Sequence, residues 1–342
     1  MSYDESSSIS IMHAYFSLPP ITSTDTLSFN AQWLQALFSG DVHVWLGFSG
    51  GVDSHVLLHA LASALSVEQK ANLTAMHVHH GLSANADNWL QHCQSVCQQL
   101  EVGFVSRRVS LASQASLEDA ARQARYAAFE EVLNPGDVML MAHHGGDQTE
   151  TVLFRLLRGT GGKGLSGIPK MRALGQGTLL RPFLAAPKSS ISAYAKRHGL
   201  CWVEDESNQD ERFTRNFIRH RIVPTLEIRF PKMEQSIAST AQRIATDYAM
   251  LAEFTNSQLS QWCDPFGGLT LRHLECLPDE KQLFWLRSFL QEKGISLPYA
   301  QLESVLFKLV KILPDKSKYK SFFILYISLE STSLITSESN TI

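Results

Sequence analysis

The sequence predicts an α/β protein, with a doubly wound, mostly parallel sheet followed by a second, mainly helical domain. Three observations support this prediction. From Asp41 onward, strand-like runs alternate with helical patterns. The first of these runs ends in glycines, as a strand does before a tight turn into a helix. Near Pro224 and Pro231 the strand pattern stops, and a long helical stretch begins at Met233.

Each element of the α/β part has its own signal. The first helix is indicated by apolar residues at helical spacing, from Val56 to Leu65. Ser116 is expected to cap a later, alanine-rich helix, with Asp119 in the third helical position. The expected strands are Val42–Phe48, Leu73–His80, Val102–Val109 and Val138–Ala142, and further helices are expected over Asn85–Leu100 and from Asp147. In sheets built this way, ligands bind beyond the carboxyl ends of the strands.

The chain has 342 residues, which predicts two domains at roughly 100–200 residues each. We expect a mobile leader over residues 1–26, the α/β domain over 27–230, the helical domain over 231–330 and a frayed tail over 331–342. The helical domain begins with the stretch from Met233 to about Cys263, followed by a short strand after Gly267 and Gly268 and two more helices.

Composition excludes several classes of protein. The formal net charge is −3, so a nucleic-acid partner would need a local basic patch. The five cysteines contain no CxxC pair, which argues against a structural zinc site or a disulfide framework and favours a reducing, cytoplasmic location. A secretory signal and an apolar run of about 18 residues are both absent, so no membrane is expected to take part.

The loop Ser49-Gly50-Gly51-Val52-Asp53-Ser54 lies between the first predicted strand and its helix. Two glycines allow a sharp turn close to an anion, and the helix start offers free N–H groups to phosphate. Ser49 and Ser54 can donate hydroxyl hydrogen bonds. Asp53 beside an anion requires a cation, so we assign it to Mg²⁺ through pyrophosphate. The alternative is an ordinary glycine turn with helix caps.

The SGGxDS pattern after a strand resembles the PP-loop of the N-type ATP pyrophosphatase superfamily. Its members cleave ATP between the α and β phosphates, adenylate a substrate and release pyrophosphate. The resemblance implies an adenine nucleotide alpha hydrolase-like fold and ATP binding by Ser49, Gly50, Gly51, Val52, Asp53 and Ser54.

Further segments narrow the resemblance within that superfamily. They are His77–Leu82, Ala121–Tyr126, Ala142–Thr151, Asp205–Asn208 and Arg215–Arg219, followed by Pro224. Together with the loop, this set closely resembles the tRNA(Ile)-lysidine synthetase family over about residues 30–230. The set is highly specific, whereas any single segment would be weak.

This resemblance implies a carbon–nitrogen ligase. ATP adenylates the C2 oxygen of the wobble cytidine in tRNA(Ile) with a CAU anticodon, and the ε-amine of free L-lysine then displaces AMP. The implied cofactors are ATP and Mg²⁺. The implied partners are the tRNA and lysine, with a homodimer as one option for the assembly.

The segment after the fourth strand supplies candidate groups for lysine. Asp147 and Glu150 could hold its ammonium group or a Mg²⁺ ion, and a carboxylate or His144 could accept its proton. Arg125 is assigned to the same catalytic and lysine-binding set. Alternatively, Asp147 caps the helix with Glu150 as its capping-box partner. The helix is expected to show a polar face and a core face; the polar residues are Asp147, Thr151, Arg155 and Arg158, and the core residues are Val152, Leu153 and Leu156.

Six residues are candidates for contact with tRNA or phosphate: Arg158, Lys163, Asn208, Arg215, Asn216 and Arg219. Arg158 and Lys163 lie in a glycine-rich basic loop, for which a helix end and a solvated turn are the alternative. Arg215 and Arg219 belong to a basic run and are one helical turn apart, so they could bind one phosphate together. A solvated helix face is the alternative for such a run.

The chain departs from the family at two points. Gly146 stands where the family usually has a second acid beside Asp147, and the chain ends soon after Phe323. Three other functions therefore stay open. They are a PP-loop tRNA thiolase, disfavoured by the lack of a CxxC pair, a small-molecule amidotransferase or synthetase, and a truncated, non-catalytic nucleotide-binding relative.

Overall fold

A computed structural model describes residues 19–40, 42–81, 83–110, 117–265, 267–295, 297–307, 323–327 and 334–338. The chain divides into two compact units, Met1–Ile244 and Ala245–Ile342. The predicted cap Ser116, most of the predicted leader and most of the predicted tail lie outside the described residues. The limits proposed for the domains stay a prediction.

The first unit alternates strands and helices. Its described strands are β1 (Ile21–Ser23), β2 (Ser28–Phe29), β3 (Val44–Gly47), β4 (Leu73–His79), β5 (Gly103–Arg108), β6 (Val138–Leu140), β7 (Met171–Leu174) and β8 (Gly177–Leu180). Its described helices are α1 (Ala31–Leu37), α2 (Val52–Ala64), α3 (Val67–Ala71), α4 (Ala86–Gln99), α5 (Leu117–Val132), α6 (Gly145–Leu157), α7 (Gly162–Leu165), α8 (Lys188–Arg197), α9 (Thr214–Phe217) and α10 (Val223–Arg229). A 3₁₀ turn covers Glu206–Gln209 and a π turn covers Ile218–Ile222.

The main sheet has six strands in the order β5-β4-β3-β6-β8-β7. The first five are parallel, and β7 pairs antiparallel with β8 at the edge. Leu46 of the central strand β3 lies opposite Ala75 of β4 and Leu140 of β6. The chain winds outward from β3 through β4 in one direction and through β6 in the other. This confirms the predicted fold class and places a topological switch point between β3 and β6, where such sheets bind ligands.

The burial of helix α2 follows the apolar spacing in its sequence. Val56, Leu57 and Leu61 are fully buried, as their helical spacing predicts, because this helix packs against α8 and β2 within the main hydrophobic core. Burying each of these side chains stabilises the fold by about 1.5–3 kcal/mol. The helix is therefore held firmly, and its first residues, Val52, Asp53 and Ser54, form the end of the loop Ser49–Ser54.

Several elements differ from the predictions. Helix α6 begins at Gly145 rather than Asp147. The hairpin of β7 and β8 and the helix α8 were not predicted, because four-residue strands interrupted by Gly175 and Gly177 give little periodic signal.

The second unit is mainly helical, as predicted. The boundary between the units falls within α11 (Met233–Trp262), and the later described helices are α12 (Arg272–Glu275), α13 (Asp279–Glu292) and α14 (Tyr299–Leu306). The predicted short strand is β9 (Leu269–Thr270), which joins β10 (Phe323–Ile327) and β11 (Leu334–Glu338) in an antiparallel sheet. Leu274, Leu286 and Phe289 are buried in its core. No helix in the described ranges combines the length and apolar character needed to cross a membrane.

Candidate active site

A cavity of about 630 Å³ opens at the carboxyl ends of β3, β4 and β6. This volume is typical of a site for a small molecule or cofactor. Its polar lining comes from five segments of the first unit and includes Ser49, Asp53, Ser54, His80, Arg125, His143, Asp147 and Asn208. The switch point of the sheet thus brings together segments that lie far apart in the sequence.

The loop after β3 requires glycine at its second position. Gly50 has a φ of +84°, and a Cβ atom there would lie 2.9 Å from both Cys93 Sγ and Val203 Cγ2. The Val203 N–H donates to the Gly50 carbonyl at 3.0 Å, which holds the loop against the 203–208 segment. A side chain at this position would therefore have to displace α4 or that segment.

The start of α2 is available to an anion. Its N-cap residue Gly51 provides no side-chain cap, so the first N–H groups of the helix have no partner within it. Ser54 Oγ donates to the Gly51 carbonyl at 3.0 Å and lies 3.1 Å from Ser49 Oγ. The uncapped N–H groups, the positive end of the helix dipole and two hydroxyls face the same space, as phosphate binding requires.

Asp53 is paired with two basic side chains. Lys188 Nζ donates to Oδ1, and His144 Nε2 lies 3.6 Å from Oδ2. Burial would raise the pKa of Asp53, but contact with His144 and the charge of Lys188 lower it to about 2. Asp53 is therefore ionised at neutral pH. Among the described residues, no group of three or more histidine, cysteine, aspartate or glutamate side chains could hold a metal ion.

His144 is the N-cap of α6. Its Nδ1 accepts from the Gly146 N–H at 3.1 Å, and Asp147 Oδ2 accepts from the His144 N–H at 2.9 Å. The alternative that made Asp147 the cap and Glu150 its partner is therefore wrong, because the helix starts earlier and uses His144 and Asp147 as its capping box. Capping does not remove Asp147 from the cavity, which it also lines, whereas the predicted site residues His144 and Glu150 are not among the lining residues.

The charged groups at the start of α6 shift one another's pKa values. Burial would lower the pKa of His144, but the carboxylates of Asp53 and Asp147 raise it above its ordinary value. Burial would raise the pKa of Asp147, but neighbouring positive charge, that of His144 first, lowers it. His143 behaves differently, since burial and the charge of Arg181 hold its pKa at about 3. His143 is therefore neutral beside an ionised Asp147.

Glu150 is buried, with 4% of its surface exposed, and pairs with two arginines. Arg219 Nε and Nη2 donate to its two oxygens at 2.6 and 2.9 Å, and Arg215 Nε donates at 3.0 Å. Arg215 also lies 3.4 Å from Asp147. The predicted pair Arg215 and Arg219 is thus brought together with Asp147 and Glu150, and all four form one ion-pair network.

The faces of α6 differ from the prediction. Gln148, Thr149 and Glu150 are buried, whereas Leu156 is 55% exposed. The expected core face over Val152, Leu153 and Leu156 is therefore wrong. The ion-pair network and a hydrogen bond from Ile168 N–H to Gln148 determine which face is buried, and periodicity does not register such contacts.

The other predicted site residues divide into two groups. Arg125 and Asn208 line the cavity. Burial and the charge of Arg125 lower the pKa of His80 to about 4. Asn216 is buried and donates to the Ser207 and Asp210 carbonyls at 2.9 and 3.0 Å, so it holds the 207–210 turn in place.

Arg158 and Lys163 do not line the cavity. Arg158 ends α6 and lies 5.0 Å from the ring centre of Phe154, whereas Lys163 is exposed on the short helix α7. Their predicted contact with tRNA or phosphate is untested by this geometry.

Two charged residues of the site were missed by the sequence analysis. Lys188, at the start of α8, neutralises Asp53. Glu234 packs on Gly145, where any side chain would collide with its Oε1, and burial raises its pKa. Both follow in the chain long after the strands that form the cavity, and neither belongs to a motif that could have identified it.

Comparison with known proteins gives close relatives. The chain is 49% identical over 222 residues to the tRNA(Ile)-lysidine synthase of Pseudomonas fluorescens, covering 65% of this chain and 50% of that protein. It is 40% identical over 274 residues to the tRNA(Ile)-lysidine synthase of Escherichia coli O157:H7, covering 80% and 62%. The chain thus spans about half to three fifths of the length of these curated relatives.

The family is shown by a second comparison. A family model described as a PP-loop domain matches residues 25–226, which is more than half of the chain. The matched range contains β3 with its glycine loop, the capped start of α6 and the 203–208 segment, which together build the cavity. This chain therefore belongs to the PP-loop family.

Proposed function

We propose that this chain is a tRNA(Ile)-lysidine synthetase, an ATP-dependent ligase that joins L-lysine to C2 of the wobble cytidine. One observation carries the proposal. The uncapped start of α2 and Asp147 at the start of α6 line one cavity, and His144 contacts both Asp53 and Asp147 from the side of the helix. The first suits phosphates and the second suits an amine, and the names of the relatives supply the reaction that uses both.

ATP is proposed to bind with its phosphates at the start of α2. The N–H groups of Val52 and Asp53 and the hydroxyls of Ser49 and Ser54 would hold the pyrophosphate end. Mg²⁺ would neutralise phosphate charge, with Asp53 as the protein group that holds it through pyrophosphate. The donor set fits that role, because Asp53 is ionised, and Lys188 is a second cation beside the same carboxylate.

The reaction is proposed to run in two steps. The C2 oxygen of cytosine attacks the α phosphorus, and pyrophosphate leaves. The ε-amine nitrogen of lysine then attacks C2, the bond from C2 to the adenylated oxygen breaks, and AMP leaves. The amine must give up a proton. His144 would take it on Nδ1 and give up its contact with the Gly146 N–H, and it is a better acceptor than His143, because the pKa of His143 is held at about 3.

The lysine ammonium group is proposed to bind at Asp147. This carboxylate is ionised and lines the cavity, whereas both Glu150 oxygens already accept from arginine. Glu150, Arg215 and Arg219 would then position Asp147 rather than contact lysine directly. Gly146, in place of an acid, leaves Asp147 as the principal carboxylate for the amine. Action in the cytoplasm and assembly as a homodimer remain predictions.

Incorporation of lysine tests the proposal. The protein is incubated with ATP, Mg²⁺, radiolabelled lysine and unmodified tRNA(Ile) bearing CAU, and a full-length relative is assayed alongside. Label should enter the tRNA only when ATP is present. If the relative succeeds and this chain transfers no label, the proposed function is wrong.

Asp53→Ala should abolish pyrophosphate release, since it removes the ionised group beside the phosphate site. Glu211→Ala is a matched control, because it removes a half-buried carboxylate that is paired with Arg221 away from the cavity. Near-normal pyrophosphate release by Asp53→Ala would contradict the role given to the loop.

The alternative functions give other results in the same assays. A tRNA thiolase would release pyrophosphate and transfer no lysine, and a non-catalytic relative would bind ATP without releasing pyrophosphate. Cys93 and Cys97 do not favour a thiolase, because both are buried and burial raises the pKa of each to about 12.

A further inference from the structure

The basic run near Arg215 is largely neutralised by acids of the same unit. Arg212 lies 2.7 Å from Asp210, and Arg221 lies 2.9 Å from Glu211. Arg215 and Arg219 both pair with Glu150. These four arginines therefore present little uncompensated charge, so other basic side chains of the unit are the better candidates for the local basic patch that a nucleic-acid partner needs.

A second set of arginines carries unpaired charge. We call Arg122, Arg155, Arg172 and Arg181 the arginine cluster; they come from α5, α6, β7 and the residue after β8. Across the ranges that the structure describes, no carboxylate oxygen lies within ion-pair distance of any of the four. Arg155 Nη1 donates to the Gly164 and Gly167 carbonyls at 3.0 and 2.8 Å, and these contacts orient the side chain without cancelling its charge.

The four arginines act on one another. Arg122 and Arg172 lie 5.0 and 4.8 Å from the ring centre of Tyr126. Burial lowers the pKa of Arg181, Tyr126 raises it, and the charges of Arg172 and Arg122 lower it again. Arg122 has the same effect on the pKa of Arg155. The cluster is therefore one concentration of like charge, which an anion would relieve.

The arginine cluster adjoins the cavity. Arg181, only 3% exposed, donates from Nε to His143 Nδ1 at 3.2 Å, and His143 lines the cavity. Arg125, one turn along α5 from Arg122, lines it too. Arg122 is exposed and Arg172 is half-buried, so these two can meet a large ligand while the buried Arg181 supports them.

We propose that the arginine cluster binds the phosphodiester backbone beside the nucleotide whose base enters the cavity. Guanidinium groups fit phosphate oxygens, and Tyr126 orients two of them in advance. The phosphates of ATP are placed at the start of α2, after β3, whereas Arg172 lies on β7, three strands away and thus about 14 Å across the sheet. The identity of the nucleic acid as tRNA rests on the proposed function.

The test is the salt dependence of tRNA binding. The dissociation constant for unmodified tRNA(Ile) is measured over a range of KCl for the wild type and for the double variant Arg122→Gln, Arg172→Gln. Each lost phosphate contact should reduce the slope of log Kd against log salt by about 0.7–0.9. The double variant should lose about 1.5 in slope and bind on the order of tenfold more weakly, with an unrelated tRNA affected equally.

Two controls separate charge from structure. Arg212→Gln with Arg221→Gln removes the same charge from exposed, paired arginines and should leave the slope unchanged. Arg122→Lys with Arg172→Lys keeps the charge and should keep most of the slope. If the lysine variant loses as much slope as the glutamine variant while its circular dichroism stays that of the wild type, the arginines have only a structural role and the proposal fails.

The remaining outcomes are equally decisive. An unchanged slope in the glutamine variant, or weakened binding of ATP in place of tRNA, overturns the proposal. Wild-type protein that transfers no lysine but loses tRNA affinity through these two substitutions would contradict the proposed function and leave the nucleic-acid surface standing. If the wild type transfers lysine normally and the glutamine variant keeps the wild-type slope, the proposed function stands and the nucleic-acid surface is contradicted.

Discussion

His144 shows how one residue serves both folding and the site. Nδ1 accepts from the first turn of α6, and Nε2 faces Asp53 and Asp147 at 3.6 and 3.5 Å. A neutral ring protonated on Nε2 satisfies all of these contacts. The two carboxylates raise the pKa of His144, yet a proton on Nδ1 would remove the lone pair that caps the helix. The protonation state of the ring and the start of the helix are therefore linked.

Two substitutions at His144 should separate these roles. His144→Asn supplies a good N-cap without the ring, so its free energy of unfolding should stay within about 0.5 kcal/mol of the wild type. His144→Ala loses the cap as well and should cost about 1 kcal/mol. In both variants the rate of lysine transfer, or of the pyrophosphate release that precedes it, should fall on the order of a hundredfold. Urea unfolding and the lysine assay measure the two effects, and full activity in the asparagine variant would contradict the catalytic role.

At the scale of elements, the site depends on how neighbours constrain the glycine loop. Helix α4 contributes Cys93 and the 203–208 segment contributes Val203, and both lie directly behind Gly50. Residues 207–216 are held by the side chain of Asn216, and Glu150 ties this region to α6 through Arg215 and Arg219. The loop is therefore supported by α4, the 203–208 segment and α6, which also contribute residues to the cavity.

Gly50→Ala should test this support. Its positive φ costs a side chain about 1–2 kcal/mol, and the contacts with Cys93 and Val203 force the loop to move. ATP should bind at least tenfold more weakly. Gly199→Ala is the matched control, because Gly199 has a φ of +60° with no atom near its Cβ position. It should lose about 1 kcal/mol of stability and keep its ATP affinity, measured by calorimetry. Equal ATP affinity in both variants would show that the loop is not constrained.

At the scale of the whole molecule, the cysteines report on folding. Cys93 and Cys97 are buried behind the loop, whereas Cys201 and Cys276 are exposed and Cys263 is half-buried. The lack of a CxxC pair argued against a disulfide framework, and the five cysteines are free thiols in the structure. Their different burial makes each thiol a probe of its own part of the chain.

Thiol labelling should show these classes. At pH 8, Cys201 and Cys276 should react quickly with a disulfide reagent, and Cys201→Ser with Cys276→Ser should remove that fast phase. Cys93 and Cys97 should react only on opening of the fold, since burial raises both thiol pKa values to about 12. ATP at a hundred times its Kd stabilises the fold by about 2.7 kcal/mol, so it should slow labelling of Cys93 about a hundredfold. Fast labelling of Cys93 in the native protein would contradict the packing behind Gly50.

The features that the sequence predicted correctly are those that depend on residues close together in the chain. The alternation of strands and helices, the buried face of α2 and the glycine loop all follow from spacing and composition within a few residues. The hairpin of β7 and β8, the start of α6 and the buried Glu150 were missed or misplaced, because they depend on pairing, capping and ion pairs with distant residues.

The sequence by itself determined that this protein has an α/β fold with a phosphate-binding loop after its first core strand, because glycine spacing and apolar periodicity are local properties. Only the tertiary structure decided which charges remain available. It paired Arg215 and Arg219 with Glu150, and it gathered Arg122, Arg155, Arg172 and Arg181 from four separate elements into one cluster with no carboxylate at ion-pair distance in the part of the chain that the structure describes. Charge acts through space rather than along the chain, so a count of arginines in a run could not show which of them are free to meet a ligand.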